Sequence, residues 1–127
     1  MAVIDITSGD AVRLSDAQTG NGDSTNIAKH GLRASDRTGG IVITSAIGAT
    51  PTVTINIQGS FDGVNYTNIP YTAENLLATA PSWITTAITI TTAKTGFYAL
   101  QPGIPWRFLK LVYSANTNVT LTVDAYL

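Results

Sequence analysis

The feature that most constrains this chain is an alternation of apolar and polar residues with a period of two, which recurs in separate segments after Gly39. Val53, Ile55 and Ile57 alternate with polar residues, and the same rhythm returns in 88–91 and in 119–127. Successive side chains of a β-strand point to opposite faces, so each segment has one face for a core and one for water. Helical spacing fits none of these segments well. The pattern predicts an all-β fold of antiparallel strands.

Turn signals divide the region after Gly39 into about seven strands, spaced as in two-sheet domains. Asp62-Gly63 predicts a hairpin between 52–60 and 65–71, because glycine supplies the positive φ of tight turns. Gly48 with Pro51, and the run Asn116-Thr117-Asn118, are interpreted as breaks between successive strands. We therefore predict an antiparallel two-sheet β-sandwich, immunoglobulin-like or jelly-roll in type.

Residues 1–38 depart from this rhythm, since they hold most of the charged residues and are interrupted by glycine, serine and asparagine. We interpret 1–38 as an N-terminal arm with short strands and 39–127 as the β-sandwich domain, and we expect that domain to close its core without the arm. The arm either adds to the sheet or reaches a neighbour. Its apolar pairs suit strand addition and are candidate partner contacts: Ile4 with Ile6, and Val12 with Leu14.

The composition limits the classes of partner. Hydrophobic residues make up 44% of the 127 residues and charged residues 12%, with a net charge of −1. A chain without a basic run lacks the footprint of nucleic-acid binding, so we expect no nucleic-acid partner. No apolar run approaches membrane-spanning length and none resembles a signal peptide, which predicts no membrane and synthesis in the cytoplasm. The absence of cysteine excludes disulfides and thiolate metal sites within the chain.

Catalytic patterns are missing from the sequence. His30 is the only imidazole and stands in a polar, glycine-flanked stretch, where a solvated or interface histidine is the better interpretation. No serine lies in a Gly-x-Ser-x-Gly elbow, and Asp62 with Asn65 lacks the spacing of a calcium loop. We therefore expect a protein that is not an enzyme and that carries no cofactor or metal.

Two tryptophans are further candidate partner contacts. Trp83 lies in the long connection 72–86, and Trp106 follows Pro105. Most other aromatic residues are interpreted as core. Large aromatic rings also stack on sugars, so a carbohydrate-binding β-sandwich that uses Trp83, Trp106 or Tyr126 is the main alternative function.

The segment Gln58-Gly59-Ser60-Phe61-Asp62-Gly63-Val64-Asn65-Tyr66-Thr67, followed by Pro105-Trp106-Arg107-Phe108-Leu109-Lys110-Leu111 and a threonine-rich last strand, resembles small β-sandwich virion proteins of tailed bacteriophages. In size and organisation it is most similar to head decoration, or cement, proteins, over roughly residues 41–127. The resemblance implies a non-enzymatic structural protein of the virion, made in the host cytoplasm and bound in many copies to the major capsid protein or another virion protein. It also implies a homo-oligomer, with a trimer favoured. A tail-fibre or baseplate component is a second alternative, and an enzyme is a distant third.

Overall fold

The computed structural model describes residues 3–6, 11–29, 39–75 and 82–127, and it forms strands, bridges and turns but no helix within them. No helix in this described part is long and apolar enough to cross a membrane. The strands are β1 (Val3–Ile6), β2 (Ala11–Gln18), β3 (Gly22–Asp23), β4 (Asn26–Lys29), β5 (Gly40–Ser60), β6 (Thr67–Asn68), β7 (Ile88–Ile90), β8 (Lys94–Ala99) and β9 (Phe108–Tyr126). The all-β prediction is confirmed.

Two long antiparallel strands, β5 and β9, form the spine of the molecule and pair from Gly40 with Tyr126 to Ser60 with Phe108. The outer edge of β5 carries β8, β7 and β6, and the outer edge of β9 carries β2, β3 and β4. β1 pairs with β4 in parallel, which makes the sheet mixed. The described strands thus form one nine-stranded sheet, where the sequence predicted two antiparallel sheets.

The sheet is continuous because the expected strand breaks are irregularities inside long strands. Pairing of β5 with β9 shifts register between Ile47 and Thr54, in the interval that contains Pro51. Proline within a sheet is found mainly at edges and bulges, and Pro51 lies in this interval of shifted register. Opposite it, Asn118 adopts a positive φ of 53° and its side chain donates to the Ala49 carbonyl at 2.6 Å. β-Bulges of this kind bend a strand without ending it.

The bend brings the two halves of the sheet together over one core. β2 pairs with the second half of β9, with Ser15 opposite Val123, yet the Ser15 hydroxyl lies 2.7 Å from the hydroxyl of Tyr113 in the first half. Ten residues of straight strand span roughly 33 Å, so this contact requires β9 to fold back on itself. The alternating residues then face inward as predicted, and Ile43, Ile55 and Leu121 are each at most 1% exposed.

The described part of the N-terminal arm adds to its own sheet, the first of the two alternatives. Leu14 of β2 and Ile27 of β4 belong to the same hydrophobic core as β5 and β9. Ser24 exchanges hydrogen bonds with Leu111, its backbone N–H donating at 2.8 Å and its hydroxyl accepting at 2.8 Å. The boundary at residue 38 stays a prediction, but these contacts argue against a core that closes without the arm.

Candidate partner-binding surfaces

The residues expected to contact a partner occupy different environments. Ile4 lies on the surface in β1, and Ile6 ends that strand. Val12 is half-buried against the core, and Trp83 is half-buried beside Ile84, which bridges to Tyr71. Leu14 and Trp106 are each only 2% exposed, so their side chains fill this chain's own core rather than offering the surface expected of a partner contact.

The outer edge of β8 and the outer strand β1 have different surroundings among the described residues. The outer edge of β8 is covered by the segment 72–75, since Thr72 and Asn75 donate backbone N–H groups to the carbonyls of Ala99 and Phe97, each at 2.9 Å. Their side chains accept the N–H groups of Ala99 and Phe97 in return, each at 3.0 Å. Such cover prevents pairing with another chain.

β1 lies at the end of the described sheet, and β4 is its one partner strand among the described residues. Its apolar side chains are exposed, Val3 to 45% and Ile4 to 41%. Exposed apolar side chains on a short outer strand form a surface against which a partner can pack.

A second surface is the hairpin turn 60–65 after β5, which we name the apolar tip. The predicted hairpin is confirmed, because Gly59 pairs with Thr67 of β6. Asp62 Oδ1 accepts the backbone N–H groups of Val64 and Asn65, each at 2.8 Å, and its Oδ2 accepts the Asn65 side-chain amide at 2.7 Å. These donors hold the pKa of the Asp62 carboxyl well below its usual range. The carboxylate is therefore the centre of a turn, in which Oδ1 accepts the backbone N–H groups and Oδ2 accepts one side-chain amide.

The tip carries the two most exposed large apolar side chains of the described residues, Phe61 at 69% and Val64 at 78%. Beside them is an apolar groove of about 90 Å³, lined by Phe61 and by Gly59, Thr67, Ile69, Ile104 and Trp106, with Ser60 and Asn65 at its rim. The Phe108 ring lies under Gly63, whose φ of +77° turns the chain. The tip is thus a projecting apolar knob next to a small apolar groove.

Charged groups next to the tip are partly paired. Lys110 Nζ lies 2.8 Å from Asp23 and 4.2 Å from the centroid of the Tyr66 ring. Arg107 is attached to the tip through its backbone N–H, which donates to the Ser60 carbonyl at 2.9 Å. Its side chain is exposed and forms no ion pair with the residues that the structure describes.

A third surface lies on the outer face of the sheet, at the start of β5. Gly40 pairs with Ala99 on one side and with Tyr126 on the other, and Val42 pairs with Phe97. The exposed rings of Phe97 and Tyr126 border a shallow apolar groove of about 200 Å³ over Gly40. Arg13 and Asp124 form an ion pair at 2.5 Å on the same face. The groove combines aromatic walls with polar groups at one end.

Tyr113 is a buried titratable side chain that stabilises the fold. Burial raises the pKa of Tyr113 to about 12, and Tyr113 is hydrogen-bonded to Ser15. No group of three potential metal ligands occurs in the described part of the chain. His30 lies outside the described residues, so its interpretation remains a prediction.

Sequence reasoning missed the apolar tip, because most aromatic residues other than the two tryptophans are interpreted there as core. The available signal was the placement of Phe61 and Val64 on either side of Asp62-Gly63. A tight turn projects its residues from the sheet, so apolar residues there are exposed unless another element covers them.

Comparison with known proteins identifies a similar fold. No family model matches this chain, and no curated protein sequence matches it. The crystal structure of the SPBc2 prophage-derived protein YomS is similar, with a TM-score of 0.58 and 10% sequence identity over 92% of this chain and 90% of that one. At this identity the similarity shows a shared fold along almost the whole of both chains.

Proposed function

We propose that this chain is a non-enzymatic structural protein of a tailed-phage particle, a capsid decoration protein that binds the major capsid protein in many copies. The observation that carries the proposal is the exposure of the apolar side chains of β1, Val3 at 45% and Ile4 at 41%. The similarity of the fold to that of a prophage-derived protein supports a phage setting.

The position of β1 explains why it suits attachment. Its apolar side chains are exposed on the last strand of the described sheet, whereas Thr72 and Asn75 cover the edge of β8. Burying Val3 and Ile4 against a neighbouring subunit removes apolar surface from water, which supplies the affinity. Single contacts of four residues are weak, but a symmetric shell presents the same contact many times, and avidity makes the attachment durable.

The remaining parts of the proposal concern location and partners. The protein is made in the host cytoplasm, ends in the virion and acts as a homo-oligomer, for which the resemblance favours a trimer. The pairing of three described cations supports a role without nucleic acid, since Arg13, Lys94 and Lys110 each lie within 2.8 Å of a carboxylate.

The test compares two isoleucines of nearly equal exposure, Ile4 at 41% on β1 and Ile47 at 43% on β5. We expect Ile4→Asp to reduce co-sedimentation with undecorated capsids, because a carboxylate opposes the burial of the apolar side chains of β1 against a partner. Ile47→Asp is the matched control and should bind as the unmodified protein does. Thermal melts check that both variants fold.

Equal capsid binding by the two variants would remove β1 from the interface. The wider proposal is tested by mass spectrometry of purified phage particles, with and without the gene. Absence of the protein from the particles contradicts a virion location.

Carbohydrate binding is a second candidate function, favoured by the groove between Phe97 and Tyr126. Aromatic rings stack on sugar rings, while the adjacent Arg13 and Asp124 offer hydrogen bonds to hydroxyl groups. A glycan array tests it, with Tyr126→Ala expected to abolish any signal and Phe61→Ala, a residue that does not line this groove, expected to leave it unchanged. A signal that is insensitive to Tyr126→Ala excludes this groove as the sugar site.

A further inference from the structure

We infer that the apolar tip is a self-association site, at which Val64 of one copy of this chain enters the groove beside Phe61 of a second copy. Capsid binding is assigned to β1, so this inference stands or fails independently of it. The partner is named as a second copy because the tip carries both halves of the contact.

The projecting half of the contact is Phe61 with Val64, 69% and 78% exposed. Exposed apolar side chains on a flexible loop lose conformational freedom when they bind, which weakens binding. Here the backbone is already held: Asp62 binds the N–H groups of Val64 and Asn65, and the Ser60 hydroxyl accepts the N–H of Gly63 at 3.0 Å. The knob is therefore preorganised.

The receiving half is the groove of about 90 Å³ between Thr67, Ile69, Ile104 and Trp106. Its volume suits one aliphatic side chain rather than a larger ligand. Knob and groove are adjacent on the same tip, so two copies that meet tip to tip present the required pieces to each other. Copies related by a cyclic symmetry axis through this end of the molecule make such contacts repeatedly, and the ring closes.

The charges at the tip favour the same partner. Asp62 supplies an exposed carboxylate whose lowered pKa keeps it ionised, and Arg107 supplies an exposed guanidinium without an ion pair among the described residues. The tip has no patch of a single charge sign to which a strongly charged partner could bind. A second copy instead offers its Arg107 to Asp62 and its Asp62 to Arg107. A net charge of −1 adds little repulsion between copies.

The small size of the tip sets the expected strength. Stable interfaces bury about 800 Å² on each partner, and a six-residue turn with its groove offers less. We therefore expect weak, concentration-dependent association in solution, with a dissociation constant of about 1 µM to 1 mM.

The first experiment is disulfide cross-linking. Because the sequence contains no cysteine, each introduced cysteine is the one thiol of its variant. Val64→Cys and Thr67→Cys variants, differing in tag length, are mixed and oxidised. We expect a mixed disulfide several-fold more abundant than that from Val64→Cys with Thr89→Cys, a control cysteine on an exposed position of β7. Such a bond requires Cα atoms about 4.4–6.8 Å apart, so it reports the knob inside the groove.

Sedimentation velocity at protein concentrations from about 1 µM to 1 mM gives the second measurement. Val64→Glu should raise the dissociation constant about tenfold or more, while Ile47→Glu, a control on a different surface, should leave it unchanged. A dimer or trimer with this sensitivity supports the inference. A monomer up to about 1 mM, or a Val64–Thr67 product no more abundant than the control product, overturns it, whatever the outcome of capsid binding.

Discussion

Replacing Tyr113 by phenylalanine should destabilise the fold by removing a hydrogen bond between the two halves of the sheet. The Tyr113 side chain is 1% exposed, and its hydroxyl lies 2.7 Å from the hydroxyl of Ser15, which is itself buried at 7%. The aromatic ring stays in place, so the loss is the hydrogen bond and the orphaned serine hydroxyl. Leaving a buried polar group unsatisfied costs about 1–3 kcal/mol. The unfolding entropy scales with the 127 residues of the chain, so each kcal/mol lost from the free energy of unfolding lowers the melting temperature by about 4 °C.

The double-mutant cycle with Ser15→Ala isolates this bond. Each single variant leaves one partner unsatisfied, whereas the double variant removes both, so we expect its loss to be smaller than the sum of the single losses by about 1 kcal/mol. Urea unfolding followed by circular dichroism measures all four proteins. The exposed hydroxyl pair of Thr44 and Thr95, 3.4 Å apart, serves as a control cycle with a coupling near zero.

Losses at Ser15 and Tyr113 that add within about 0.5 kcal/mol would refute the reasoning. They would mean that β2 does not reach the first half of β9, and hence that the N-terminal segment does not close over the core. The cycle therefore also tests whether residues 1–38 are part of the folded unit.

Two further predictions concern packing and pH. Gly59→Ala should cost about 1–3 kcal/mol, because a Cβ there would lie 2.9 Å from the Trp106 Cβ, which cannot move without the backbone; Gly96→Ala should cost less, since its Cβ would meet the flexible end of Glu74. Urea melts of the two variants measure the difference, and a larger loss at Gly96 would contradict it. The raised pKa of Tyr113, about 12, means that its contribution to stability is complete below about pH 10 and is lost as the pH rises toward 12, so thermal melts should stay level to about pH 9 and fall above pH 10. A melting temperature that begins to fall well below pH 9 would point to another titrating group.

The sequence predicted the β fold and the inward faces, because burial obeys the two-residue period of a strand: Ile43, Ile55 and Leu121 lie inside as expected. It did not predict the continuity of β5 and β9. The segments around Pro51 and Asn118 have the local chemistry of turns, and only pairing with the opposite strand decides whether such a segment reverses the chain or bulges.

Side-chain exposure at the candidate contacts was predictable only in part. Ile4 is exposed as a contact residue must be, but Trp106 is buried, because the bend at the middle of the sheet and the segment 104–106 bring it over Gly59. For Phe61 the error has the opposite direction, because this residue was not expected on the surface and is 69% exposed. Its position beside a turn was visible in the sequence, whereas the absence of a covering element among the described residues required the structure.

The turn at the apolar tip also bears on how long the protein lasts. An Asp-Gly bond ages when the glycine backbone nitrogen attacks the Cγ of the protonated aspartate side chain, water leaves and a cyclic imide forms, which water then opens mainly to isoaspartate. Here the Gly63 N–H is engaged by the Ser60 hydroxyl, and the Asp62 side chain is anchored as an ionised carboxylate by the N–H groups of Val64 and Asn65. Both reacting groups are engaged in other hydrogen bonds, so a sequence that is chemically fragile in a loose chain is expected to react slowly in this fold.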